Sequence, residues 1–157
     1  MLLFGKTIVM LHIYTDGSCI NNGKANAIAS WSYVVLDDNN NVIEMSTGRV
    51  PGKQDNNRAE LTAFLKALRY IRTQRQEKYV IYVDFEAIYL YYYGKTRPKA
   101  NKDIYKEIEY ILRICTEQIV CVKKVKSHQT RFDIVHFFNG LVDKIAQKSI
   151  ELFCLQK

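Results

Sequence analysis

The stretch Leu11-His-Ile-Tyr-Thr-Asp-Gly-Ser-Cys19 decides how the rest of the chain is read. Ile13 to Thr15 are β-branched or aromatic, and a Gly-Ser pair follows, so the stretch reads as a strand ended by a turn. Asp16 is then expected where the strand stops, held by a rigid element and open to solvent. Gly17 lets the backbone turn and keeps bulk away from whatever approaches the carboxylate. Strand-Asp-Gly is also an ordinary turn signal, so the sequence downstream has to decide between a turn and a site.

Around this stretch the first strand is expected over 8–15, with residues 1–9 partly an N-terminal extension and Met10 able to serve as a start. Asn21-Asn22-Gly23-Lys24 is a turn. A second strand over 27–36, a polar hairpin loop over 37–41 and a third strand over 42–50 make an antiparallel meander. Pro51-Gly52 breaks the chain, and Asp55-Asn56 offers helix-capping side chains. Ala59, Ala63, Phe64, Ala67, Leu68 and Ile71 then recur at helical spacing over 57–72. Glu60 lies on that inward stripe, one turn before Phe64. A carboxylate there needs a metal or an arginine as partner, unless it reaches solvent near the positive end of the helix.

Tyr79 to Val83 is a continuous apolar run, as expected of a strand covered on both faces, and it ends at Asp84. Ligands bind at that end of strands in open α/β sheets. A short tyrosine-rich helix over 86–93, a basic loop over 94–102, a helix over 103–115 and a fifth strand over 119–125 follow. A polar loop over 126–132 carries His128, and a last helix over 135–153 carries Asp143 beside its apolar stripe.

The chain has 157 residues, which fits a single domain over 1–157. Hydrophobic residues make up 48% and charged residues 25%, enough apolar material for a real core. The 23 basic against 16 acidic residues leave a net charge of +7, which favours a polyanionic partner such as nucleic acid. The cysteines Cys19, Cys115, Cys121 and Cys154 have no zinc-like spacing and suit a reduced, intracellular (cytoplasmic) protein. No apolar run approaches the length of a membrane span, so no membrane partner is expected.

Four carboxylates, Asp16, Glu60, Asp84 and Asp143, thus sit on four different elements. Such a set can hold two divalent cations, and hard oxygen ligands select magnesium or manganese over zinc. Two such ions, about 3.5–4 Å apart, suit phosphodiester cleavage.

Tyr14-Thr-Asp-Gly-Ser18, Asn56-Asn-Arg-Ala-Glu-Leu61, Val83-Asp84, Val125-Lys-Ser-His128 and Asn139-x-x-x-Asp143 together resemble type 1 ribonuclease H, in that family's order, over roughly residues 10–150. The resemblance implies an α/β, ribonuclease H-like fold: a five-stranded mixed sheet, antiparallel meander plus parallel strands, flanked by helices. It implies two Mg2+ or Mn2+ ions on Asp16, Glu60, Asp84 and Asp143, and cleavage of the RNA strand of RNA–DNA hybrids. Hybrid contacts would fall on Cys19, Asn22, Asn56 and Asn57. Asn139 would position a backbone or substrate group, or else cap the helix. His128 would serve proton transfer or product departure, a role suited to a side chain that titrates near neutrality. His12 and His136 match no motif and read as structural. A monomer is expected.

Three features depart from the family pattern. Phe85-Glu86 follows the third Asp, where a small polar residue is usual. The segment from His128 to Asn139 is longer. The basic, Trp-bearing protrusion of some members is missing, and Trp31, the lone tryptophan, lies in a strand. Tyr91, Tyr92, Tyr93, Lys95, Arg97 and Lys99 could take over the gripping of nucleic acid, or the tyrosines could be core. Two other functions fit the same carboxylates less fully: a nuclease of this fold acting on branched DNA, as junction resolvases do, and a non-catalytic nucleic-acid-binding module.

Overall fold

The structure is a computed structural model and describes residues 7–74, 77–126 and 133–156. Strands β1 (Met10–Ile20), β2 (Ile28–Leu36) and β3 (Val42–Arg49) form the meander. Helix α1 (Asn56–Thr73), strand β4 (Lys78–Val83), helices α2 (Glu86–Tyr92) and α3 (Lys102–Cys115), strand β5 (Ile119–Lys124) and helix α4 (Ile134–Leu155) follow. The sheet order is β3-β2-β1-β4-β5. The β1–β2 and β2–β3 pairs are antiparallel, and the β1–β4 and β4–β5 pairs are parallel. This is the expected α/β fold.

Alternation along the strands divides the core between the two faces of the sheet. Leu11 and Ile13 of β1, Trp31, Tyr33 and Val35 of β2, and Tyr79, Ile81 and Val83 of β4 meet α1, α2 and α3. Tyr14, Val34, Leu36, Val80 and Tyr82 point the other way, to Phe138 and Val142 of α4. Strand β2 is buried along its whole length, because helices cover both of its faces. No helix among the described residues is long and apolar enough to cross a membrane.

The cap of α1 was visible in the sequence, and that of α4 comes from the structure. Asp55 caps α1 by accepting from the Arg58 N–H at 2.8 Å, and Asp133 caps α4 by accepting from the His136 N–H at 3.0 Å. Asn139 lies well inside α4, so it is not the helix cap.

The first strand differs from expectation. It does not stop at Thr15 but runs on to Ile20, because Asp16, Gly17, Ser18, Cys19 and Ile20 stay paired with Ser32, Trp31, Ser30, Ala29 and Ile28 of β2. Its pairing with β4 ends at Tyr14 and Tyr82. Asp16 therefore sits inside a strand, at the point where that strand loses one of its two neighbours.

A candidate metal and nucleic-acid site

Gly17 explains how the carboxylates come together. A Cβ there would stand 2.3 Å from the Ala59 carbonyl carbon and 2.3 Å from the Glu60 nitrogen. Only a residue without a side chain lets the start of α1 lie on β1 this closely. That contact delivers Glu60 to Asp16. Asp84 arrives from the residue after β4, beyond the end of the β1–β4 ladder.

One carboxylate oxygen from each of Asp16, Glu60 and Asp84 lies within 4.8 Å of the others. Asp16 is only 3% exposed, and its Oδ1 accepts from the Gly17 N–H at 2.8 Å. Burial, first of all, pushes the Asp16 carboxyl well above its ordinary range, and the nearby Asp84 and Asp143 charges push the same way. Glu60 is raised well above its ordinary value by burial, then by the charges of Asp16 and Asp84. The two carboxyls hydrogen-bond each other, as a pair sharing a proton does. The partner that Glu60 needed is thus another acid. Arg58 is committed elsewhere, in a two-point ion pair with Asp103 at 2.6 and 3.1 Å. Acids crowded this closely, all with hard oxygen donors, fit a divalent cation, which would replace the shared proton and relieve the repulsion.

Asp143 lies outside that tight trio. It lines the same cavity, of about 400 Å³, and both of its oxygens accept from Gln147 Nε2 at 3.0 Å. Its helix is moored to β2 by two hydroxyls. Ser30 donates to the Ala146 carbonyl at 2.6 Å and Ser32 to the Val142 carbonyl at 2.7 Å.

Asn56, Asn57 and Asn139 also line this cavity. Asn139 is 7% exposed, and its buried side-chain oxygen has no hydrogen-bond partner among the described residues. A second cavity of about 550 Å³ shares Asn56 and Asn57 and adds Asn22, Lys24 and Lys53. Asn22 Oδ1 accepts from the Asn56 N–H at 3.1 Å, which ties the β1–β2 turn to the start of α1 and leaves the Asn22 amide NH2 for other partners. Cys19 lines neither cavity. Its thiol donates to the Ile20 carbonyl, and its side chain packs against the core.

His128 lies outside the described residues, as do Arg131 and Phe132. His136, read from sequence as structural, lines the carboxylate cavity, as does Lys126. A signal for it was present: His136 is one helical turn before Asn139, which places both on one side of α4. Phe85 also lines the cavity. Glu86 turns away from it, into an ion pair with Lys124 at 2.7 Å. The tyrosines after it resolve toward the core: Tyr89, Tyr91 and Tyr92 pack against the buried cluster. The Tyr93 hydroxyl donates to the Val122 carbonyl at 2.9 Å and accepts from the Val122 N–H at 3.2 Å, closing part of the open edge of β5.

Comparison with known proteins agrees with this geometry. The RNase H family model matches residues 9–151. Ribonuclease H1 of Rattus norvegicus is 35% identical over 81 residues, 51% of this chain and 26% of the rat protein. Ribonuclease H1 of Homo sapiens is 36% identical over 73 residues, 46% of this chain and 24% of the human protein. The matched part thus spans about a quarter of the length of these relatives. Among solved structures, LC11-RNase H1 in complex with an RNA/DNA hybrid aligns with a TM-score of 0.75 at 19% identity, covering 92% of this chain and 99% of that one. RNase H1 from Halobacterium salinarum NRC-1 aligns at 0.71 and 16% identity, covering 90% and 98%. With the family model matching residues 9–151, this chain belongs to the RNase H family.

Proposed function

We propose that this chain is a divalent-metal-dependent endonuclease that hydrolyses the RNA strand of RNA–DNA hybrids. The observation that carries the reading is the convergence of Asp16, Glu60 and Asp84 within 4.8 Å, with the carboxyls of Asp16 and Glu60 held above their ordinary range. A protein that only bound phosphate would gain nothing from clustered negative charge. Membership of the RNase H family, and the hybrid bound by LC11-RNase H1, support this substrate.

In this reading Asp16, Glu60, Asp84 and Asp143 hold two magnesium or manganese ions, which when bound supply an activated water and stabilise the leaving oxygen. On losing their shared proton, Asp16 and Glu60 would both be free to act as ligands. Asn22, Asn56 and Asn57 contact the hybrid, since amides can donate to phosphate and accept from the 2′-hydroxyl that marks RNA. Lys24 and Lys53, in the same cavity, attract the phosphate backbone. Asn139 offers its buried side-chain oxygen to a substrate hydroxyl. All these groups come from one chain, so a monomer suffices.

The test is cleavage of an end-labelled RNA–DNA hybrid, alongside DNA duplex, RNA duplex and a four-way junction, with magnesium, manganese or chelator. Metal-dependent cutting confined to the RNA strand of the hybrid is expected. Cutting of the junction alone would replace the substrate while keeping the metal site. Binding without any cutting would leave a nucleic-acid-binding module.

A further inference from the structure

Asp133 does two things with one oxygen. Its Oδ1 accepts from the His136 N–H at 3.0 Å, capping α4, and lies 2.7 Å from the His136 ring Nδ1. In the common capping box the third helical residue reaches back to the backbone of the cap. Here the third residue is a histidine, and its ring reaches back to the cap's carboxylate. An ionised carboxylate only accepts, so Nδ1 carries the hydrogen and Nε2 is the nitrogen left for the cavity. The half-buried ring lines the cavity with Asp16, Asp84, Asn139 and Asp143. Capping alone does not call for this ring, because the backbone N–H already satisfies Asp133 Oδ1.

We propose that His136, oriented by Asp133, is a catalytic residue of this site and delivers a proton to the leaving oxygen. The inference rests on the hydrolase reading above. As the oxygen of the attacking water bonds to phosphorus, the bond from phosphorus to the leaving ribose oxygen breaks. The electron pair stays on that oxygen, and the ring, which enters this step as an imidazolium with a hydrogen on Nε2 as well as on Nδ1, gives its Nε2 proton to it. The attacking water sheds one proton to solvent and Nε2 takes one back, so atoms and charge balance. Asp133 is a positioning residue: it holds the ring through Nδ1 and touches no reacting atom.

The experiment is single-turnover cleavage by the full chain of two hybrids, one ordinary and one with sulfur replacing oxygen at the leaving atom of a single RNA linkage. A thiolate leaves without needing a proton. His136→Ala and His136→Gln are expected to cut the ordinary linkage about a hundredfold more slowly than the unmodified protein, and the sulfur linkage within about threefold of it. Asp133→Asn, which still caps the helix, is expected to lose about tenfold on the ordinary linkage only. Thermal melting of the Gln variant checks that it is folded. Equal slowing on both linkages would make His136 structural and overturn the inference. So would an ordinary rate within about threefold of the unmodified protein, or a sulfur-rescued loss in His128→Ala that His136→Ala lacks. If the unmodified protein cuts no hybrid at all, the hydrolase reading itself fails, and this inference falls with it.

Discussion

Helices α1 and α4 bring acids to the same cavity from opposite faces of the sheet, and they are held there by different means. Helix α1 lies backbone to backbone on β1 at Gly17 and buries Leu61, Phe64, Leu65, Leu68 and Ile71 beneath it. Helix α4 rests on a smaller apolar cluster, with the Ser30 and Ser32 hydroxyls reaching its carbonyls. Steric contact leaves little freedom, while hydrogen bonds of this kind contribute only about 1 kcal/mol each and can lengthen. Glu60 is accordingly locked into the tight trio, whereas Asp143 stands outside it with Gln147 as its partner. The site pairs a rigid half with an adjustable one.

The sharpest test of the rigid half is removal of one of its charges. Asp16→Asn and Glu60→Gln are expected to drop metal-dependent cleavage to background while raising the melting temperature of the metal-free protein at pH 8. The sign follows from the raised carboxyls. Between the ordinary carboxylate value, about 4, and the raised folded value, the folded chain holds more protons than the unfolded one, so stability falls as pH rises. The metal-free protein should therefore melt lower at pH 8 than at pH 5, magnesium should restore the loss, and Asp16→Asn should flatten the slope. A melting temperature independent of pH and magnesium would remove the shared proton from the account.

Gly17→Ala comes next. Its new methyl would meet helix backbone rather than a movable side chain. A loss of about 3 kcal/mol or more is expected in urea melts, with cleavage lost as Glu60 is pushed away. Little change would mean that α1 can slide, and the contrast between the two helices would disappear. On the adjustable side, Ser30→Ala with Ser32→Ala should cost about 2 kcal/mol together. Its cleavage rate should fall further than in a variant equally destabilised at the far end of α3, because Asp143 shifts. The smallest effect belongs to Asp103→Ala. It breaks the Arg58 pair, whose acid is largely exposed, and should cost about 0.5–1 kcal/mol with cleavage unchanged.

Much of this was legible in the sequence, because the relevant signals are local. Alternation along 27–36 pointed to a strand, helical spacing over 57–72 to a helix, and Asp55 announced its cap. The four acids stood out because each interrupts or ends an apolar pattern. What could not be read was set by distant pairing. Nothing within Asp-Gly-Ser-Cys says that the strand continues, since its partners Ser32 to Ile28 decide that. The need for glycine at 17 comes from a helix more than forty residues later. His136 read as structural because its place in the cavity depends on which way α4 faces, and the tyrosine run looked like a binding surface because aromatic residues serve core and ligand equally well.

The loss of β1's second neighbour just before Asp16 also bears on how the chain is made. As synthesis proceeds, the meander can pair once Arg49 has emerged, but one edge of β1 then stays open until Lys78–Val83 arrive. An open, apolar central edge is the feature most prone to wrong pairing with another nascent chain. The arrival of β4 ends that exposure. Because Asp84 follows directly from β4, the same docking event brings Asp84 to Asp16. The full trio of acids therefore assembles only once the vulnerable edge has been covered, and earlier intermediates carry at most the Asp16–Glu60 pair.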